Sequence, residues 1–303
     1  MSLNKVLVLG VRGMLGHAVF YTLSKKDDLD VFGTVRSQEE FSVLEKVFDA
    51  ECLKKIRHGV DAGNMDSMRK AVEDIRPDIV INCIGLIKQA KAGKDPLPNI
   101  TLNAQLPHLI AKICEANDAR MIHVSTDCVF DGEKGNYTED DLPDAKDYYG
   151  MTKYLGEVDY PHCVTIRTSI IGHELTTNLA IVDWFLDESE KVRGFTKAIY
   201  TGLPTVEMAR VISGFVIPNP ELSGLFHVSA DPISKYELLN LIAKQYSKDI
   251  EIEPFEGFAC DRSLNSSLFR EKAGYAPPSW PELVKRMHRH YVESGLYSIR
   301  NSR

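Results

Sequence analysis

The chain has 303 residues, 44% of them hydrophobic and 26% charged, with a formal net charge of -7. That is globular composition, with enough apolar residue for a sizeable core and two lobes. The acidic balance, spread in short mixed clusters such as Lys25-Lys26-Asp27-Asp28, excludes an electrostatic footprint for nucleic acid or anionic lipid. No apolar run approaches the roughly twenty residues of a membrane span, and the N-terminus has no signal-peptide pattern. The six cysteines (Cys52, Cys83, Cys114, Cys128, Cys163, Cys260) include no Cys-x-x-Cys pair. The expectation is therefore no metal and no disulfide scaffold, with reduced thiols in a cytoplasm. Met1-Ser2-Leu3 is set aside.

In chain order, Val6 to Leu9 is an apolar strand ending at Gly10, and Met14 to Leu23 has helical apolar spacing. Val31 to Val35 reads as a second strand. Met68, Val72 and Ile75 mark a helix face that stops before Pro77. Ile79 to Ile81, a helix over Leu102 to Ala116 and a strand over Met121 to Val124 follow. Short, fully apolar strands alternating with helices predict a parallel sheet covered on both faces. With right-handed crossovers this is an α/β, Rossmann-like, doubly wound fold. Later, Thr205 to Val216, Ser234 to Tyr246 and Pro281 to Tyr291 read as helices and Leu225 to Val228 as a strand, interrupted by prolines. This divides the chain into a dinucleotide-binding domain over 1–170 and a smaller α+β substrate lobe over 171–303, whose segments are free to interleave.

Gly10-Val11-Arg12-Gly13-Met14-Leu15-Gly16 is a Gly-x-x-Gly-x-x-Gly turn between a buried strand and a helix. Gly10 permits the sharp turn, Gly13 lets backbone approach a pyrophosphate, and Gly16 lets the helix pack on the sheet. The pyrophosphate lies at the positive end of that helix, next to Met14 and Leu15. The second strand runs into Arg36-Ser37. It lacks the acid that holds the ribose hydroxyl in NAD enzymes, and Arg36 is placed for a 2′-phosphate, with Arg12 as a second cation. NADP(H) is therefore favoured over NAD(H). Asp61, closing a short third strand, either contacts adenine or makes a turn.

Tyr149 and Lys153 form Tyr-x-x-x-Lys, one face of a helix. A free phenol titrates near 10, too high for acid-base work at neutral pH. An ammonium beside it, with the charge of an oxidised nicotinamide, favours phenolate. Ser125-Thr126-Asp127-Cys128 starts where the strand Met121 to Val124 ends, at the ligand-binding edge of an open α/β sheet. Thr126 is there to hydrogen-bond the reacting oxygen.

These stretches resemble the extended short-chain dehydrogenase/reductases, and within them the dTDP-4-dehydrorhamnose reductase group. The resemblance rests on Val124 to Gly132, Tyr149 to Glu157, Ile166 to Ser169, Gly202 to Thr205 and Arg262 to Leu268. It implies an NADP(H)-dependent reductase of a nucleotide-linked 4-keto sugar, serving polysaccharide or deoxysugar synthesis. Thr126, Tyr149 and Lys153 would be the catalytic set, with Lys153 also holding the nicotinamide ribose. Cys83, Ile84 and Gly85 would line the cofactor, with Asn103 near it and Thr168 beside the nicotinamide. Asp127 and Cys128 would face the substrate. Arg262 would reach the nucleotide diphosphate, or else form a surface salt bridge. The expected partner is a nucleotide-diphosphate sugar, and a homodimer is allowed for.

Two positions depart from that group. Cys128 stands where its members carry tyrosine, and Ile170 where they carry tryptophan. Cys128 therefore opens a second reading, an epimerase/ketoreductase like the GDP-fucose synthases, with His173 lowering the thiol pKa. The plainer reading makes Cys128 an apolar pocket residue. A third reading is a catalytically silent, NADP-binding regulatory protein.

Overall fold

The computed structural model describes residues 4–88 and 91–300, so Met1-Ser2-Leu3 lies outside the described residues. The central sheet takes its strands from β1 (Asn4–Leu9), β2 (Leu29–Thr34), β3 (Ile56–Arg57), β4 (Ile79–Asn82), β5 (Arg120–Thr126) and β6 (Cys163–Thr168). After β7 (Ile170–Ile171), β8 (Val192–Tyr200) and β9 (Leu203–Pro204), a seventh strand, β10 (Gly224–His227), joins it. The spatial order is β10-β6-β5-β4-β1-β2-β3 and every ladder is parallel.

The period of two along a strand sorts side chains between the faces. Val6 and Val8 of β1 enter one core, and Leu7 and Leu9 the other. Ile79 and Ile81 of β4 likewise part from Val80. One face is covered by α1 (Met14–Leu23). The short helices α2 (Gln38–Leu44) and α3 (Ala50–Lys54) flank the β2–β3 edge. The other face is covered by α4 (Met65–Ile75) and α6 (Leu106–Ala116) through Met68, Val72, Ile75, Leu106 and Ile110. The helix expected over Leu102 to Ala116 starts earlier and less regularly: α5 (Pro96–Asn99) runs into a π-helical segment, Ile100–Gln105, before α6.

The remaining helices are α7 (Tyr148–Leu155), α8 (Ile181–Asp187), α9 (Thr205–Val211), α10 (Lys235–Gln245), α11 (Ser267–Ala273) and α12 (Trp280–Glu293). Two of the three expected late helices match α10 and α12 closely, and α9 continues as a π-helical segment, Ile212–Val216. A second sheet has the order β11-β8-β12, with β11 (Ile233–Ser234) antiparallel to β8 and β12 (Ile252–Asp261) parallel to it. The helices α9 and α12 return to the central domain: Met208, Val211, Leu283 and Met287 share a core with Val6, Val8 and Val19. Residues on both sides of position 170 thus build the central sheet and its cover.

The strand order reverses between β1 and β4, and a crevice opens beyond their carboxyl ends. Gly10 follows β1 there, and Cys83 to Gly85 follows β4. Among the described residues no helix is long and apolar enough to cross a membrane.

Candidate active site

One cavity of about 710 Å³ fills that crevice and extends under the second sheet. Its lining includes Arg12, Gly13, Met14, Leu15, Cys83, Ile84, Gly85, Thr126, Asp127, Cys128, Tyr149, Lys153, Thr168 and Arg262. Five other sequence-predicted residues, Gly10, Arg36, Ser37, Asp61 and Asn103, are not among the lining residues.

Gly10 shapes the turn from behind. Its φ is +82°, a left-handed value that glycine adopts freely. A methyl group on Gly16 would collide with the Gly10 carbonyl oxygen, so α1 can come this close only with glycine at that position. The turn is a cradle that a side chain would fill, which fits a diphosphate. Arg12 reaches across the crevice, and its Nη2 donates to Thr176 Oγ1 at 2.8 Å. His17 in the first turns of α1 is fully buried, and burial holds its imidazole down at about 3. Its Nδ1 lies 2.8 Å from the Gly13 carbonyl oxygen, which steadies the turn from below.

At the end of β2, Arg36 is exposed and paired with Glu40, Nη2 to Oε1 at 2.9 Å. Ser37 caps α2: its Oγ accepts the Glu40 backbone N–H at 3.2 Å. Asp61 is exposed and accepts the Gly63 N–H at 2.9 Å. It therefore makes a turn, four residues past the end of β3 rather than closing that strand.

Asn103 sits in the π-helical segment and works through the loop after β4. Its Oδ1 accepts the Leu86 N–H at 2.8 Å and its Nδ2 donates to the Leu86 carbonyl at 3.1 Å. Cys83 to Lys88 is held against the cavity by that clamp. Asn82, at the strand end, adds a bond from the Ile84 N–H at 3.0 Å.

The reacting groups stand between these walls and the second sheet. Thr126 ends β5 and caps a short 3-10 turn, its Oγ1 accepting the Cys128 N–H at 3.1 Å. Asp147 caps α7 by accepting the Gly150 N–H at 2.9 Å. A methyl group on Gly150 would strike the Cys128 carbonyl oxygen, so glycine here lets α7 bring Tyr149 against the Thr126 turn. Lys153, one turn further on and only 5% exposed, donates from Nζ to the Val124 carbonyl at 2.8 Å.

Burial decides the protonation states. It pushes the Tyr149 phenol up, Cys128 adds to this, and a hydrogen bond with Thr126 opposes it. It drives Lys153 down to about 8 against the opposing pull of Glu157. It raises Asp127, partly offset by Arg262. The Cys128 thiol is pushed up to about 12, first by burial and then by Asp127. Burial favours the neutral phenol, whereas the phenolate expected from the Tyr-x-x-x-Lys spacing also draws on the charge of an oxidised nicotinamide. The lysine is drawn onto a strand carbonyl, and desolvation outweighs it.

His173 is not available to Cys128. It is buried, with Nδ1 2.6 Å from Asp183 Oδ1 and Nε2 2.8 Å from Tyr246 Oη. Arg262 is tied to backbone rather than to a carboxylate: Nε donates to the Phe130 carbonyl at 2.7 Å and Nη2 to the Asp131 carbonyl at 3.3 Å. Its guanidinium lines the cavity beside Asp127 and Cys128.

Several cavity residues carry no local signal in the sequence: Glu174 to Thr177, Leu179 and Ala180 after β7, Ala198 to Tyr200 on β8, Lys235 at the start of α10, and Phe258 and Cys260 on β12. Beneath the cavity, Arg167 is almost fully buried and forms a two-pronged pair with Glu157, both bonds 2.7 Å. Ser125 Oγ donates to the same carboxylate at 2.7 Å. Among the described residues no group of three or more His, Cys, Asp or Glu side chains is placed to hold a metal ion.

The family model for the RmlD substrate binding domain matches residues 4–293. A curated relative, methionine adenosyltransferase 2 subunit beta of Danio rerio, is 26% identical over 80% of this chain and 74% of its own length. A probable low-salt glycan biosynthesis reductase, Agl14 of Haloferax volcanii, is 31% identical over 50% of this chain and 46% of its own length. Among solved structures, dTDP-4-dehydrorhamnose reductase from Bacillus anthracis in complex with NADP superposes with a TM-score of 0.76 at 20% identity, covering 95% of this chain and 98% of that one. The chain belongs to the RmlD substrate binding domain family, within the extended short-chain dehydrogenase/reductases.

Proposed function

We propose that this protein is an NADP(H)-dependent reductase of a keto group on a nucleotide-linked sugar. The observation that carries the reading is the placing of Thr126, Tyr149 and Lys153 together in one cavity with the dinucleotide turn. The relatives named as reductases support it. The glycine cradle and the buried lysine fit a dinucleotide, which supplies hydride when bound.

This chain's own residues do the rest. Tyr149 enters as a neutral phenol, the form needed to give a proton to the oxygen of a ketone as its carbon is reduced. Thr126 stands beside that phenol and orients it. Lys153, held by the Val124 carbonyl at the cavity wall, favours the phenolate left after transfer and binds the ribose beside the nicotinamide. Arg262 presents a guanidinium already fixed by backbone carbonyls, suited to a diphosphate. Cys128 is a neutral wall residue. Its thiol is held high by burial and His173 is engaged by Asp183 and Tyr246, which weighs against the epimerase reading.

The likeness to methionine adenosyltransferase 2 subunit beta favours a second reading, a dinucleotide-binding subunit that does not turn over. One experiment separates the two. NADPH oxidation is followed with a panel of nucleotide-linked 4-keto sugars, in the wild type and Tyr149→Phe. The reductase reading expects turnover that falls by about a hundredfold or more in the variant, with dinucleotide affinity kept. Equal turnover in the variant refutes the role of Tyr149, and no oxidation with any sugar favours the subunit reading.

A further inference from the structure

The acid missing from the end of β2 is supplied from elsewhere. Glu40 lies in the first turn of α2, and its side chain folds back onto the strand end. Oε2 accepts the Arg36 backbone N–H at 3.1 Å while Oε1 takes the Arg36 guanidinium at 2.9 Å. The Glu40 backbone N–H is held in turn by Ser37 Oγ. The two partners are not equally constrained: the Arg36 side chain is 66% exposed and that of Glu40 only 19%. Glu40 is the fixed member and Arg36 the one free to swing.

We infer that Glu40 is the residue that sets the balance between NADP(H) and NAD(H). This rests on the cofactor reading above, and deepens it. In doubly wound folds the adenosine ribose lies at the end of the second strand. A carboxylate there accepts a ribose hydroxyl and repels a 2′-phosphate, and a guanidinium attracts the phosphate. Both groups are present here, and each neutralises the other while they are paired. A 2′-phosphate must draw Arg36 away from Glu40 and then sit beside the remaining carboxylate. An unphosphorylated ribose meets an acceptor already in place. Glu40 thus holds the preference for NADP(H) below what Arg36 alone would give, and the protein accepts both dinucleotides.

The test is direct binding, independent of any sugar. Dissociation constants for NADPH and NADH are measured by fluorescence titration on the wild type, Glu40→Gln and Arg36→Ala. Glutamine keeps an oxygen for the Arg36 N–H and removes only the charge. The expected result is NADPH binding about three- to tenfold tighter in Glu40→Gln, with NADH unchanged or weaker. Arg36→Ala weakens NADPH selectively. An unchanged NADPH-to-NADH ratio in Glu40→Gln, with NADPH weakened in Arg36→Ala, overturns the role of Glu40 and leaves that of Arg36 standing. NADPH affinity unchanged in Arg36→Ala overturns the 2′-phosphate reading and this inference with it. Equal weakening of both dinucleotides in Glu40→Gln shows a purely structural residue and also overturns it.

Discussion

Replacing Lys153 with methionine is expected to stabilise the unliganded protein while removing its activity. The ammonium is 5% exposed and titrates at about 8, against 10.5 for a free lysine. A shift of that size costs the folded state about 3 kcal/mol at pH 7. The bond to the Val124 carbonyl, lost in the variant, returns about 1 kcal/mol. The net gain of Lys153→Met is then about 2 kcal/mol, or a Tm higher by about 3 °C in a chain of this length. Its pH dependence identifies the cause. Below pH 8 both folded and unfolded wild type carry the proton, so the full cost is present. Between about pH 8 and 10.5 the unfolded chain binds more protons than the folded one, and wild-type stability rises with pH. The advantage of the variant should therefore shrink by about 2 kcal/mol between about pH 7.5 and 9.5. Urea melts of both proteins across that range, without dinucleotide, give the difference directly, and titrations common to both cancel. A variant less stable at pH 7, or a difference that does not change with pH, refutes the buried-cation account.

Two further predictions concern the walls of the cavity. Asn103→Ala leaves the Leu86 N–H and carbonyl without their side-chain partner, at a cost of about 2–3 kcal/mol. Calorimetry should show that loss, and titration should show dinucleotide affinity about tenfold weaker; unchanged affinity would mean that the loop does not depend on the clamp. Cys128→Ala should leave the shape of the pH–rate profile intact, because a thiol at about 12 is neutral throughout the working range. Disappearance of a limb between about pH 6 and 9, or solvent deuterium entering beside the ketone in the wild type alone, would restore the thiol as an acid-base group.

The parts of the fold written in short local patterns were legible. Val6 to Leu9 followed by three spaced glycines announces β1, the turn and α1, because one buried strand and one helix start need only neighbours in sequence. Tyr149 and Lys153 were legible for the same reason. The second sheet was not. β12 has no buried position and is exposed along half its length, so it offers no apolar run, and on β8 the exposed Arg193 and Lys197 interrupt the buried Val192, Gly194 and Ala198. The return of α9 and α12 to the core around β1 depends on tertiary packing that no local period records. Glu40 shows the limit most sharply. A search for an acid along the strand correctly finds none, yet the first turn of α2 swings a carboxylate back to that place. His173 fails in the opposite sense: a residue suggestive by chemistry is consumed by Asp183 and Tyr246.

The protonation states in the cavity share one cause. Desolvation is the largest influence on Tyr149, Asp127, Cys128 and Lys153, and it moves each towards its neutral form. Here the lysine is bonded to Val124 and the phenol keeps its proton. Glu157, which alone among nearby carboxylates favours the charged lysine, is itself engaged by Arg167 and Ser125. Glu157 opposes burial, and the lysine, at about 8, stays charged at neutral pH. In the proposed reduction the neutral phenol gives its proton to the carbonyl oxygen, and in the reverse direction the same group takes it back. Lys153, at about 8, already carries its charge at pH 7 and keeps it more firmly when the phenol loses its proton or a phosphorylated ligand brings negative charge nearby. On this account the ammonium stabilises the product of proton transfer, which is where its binding contributes to rate.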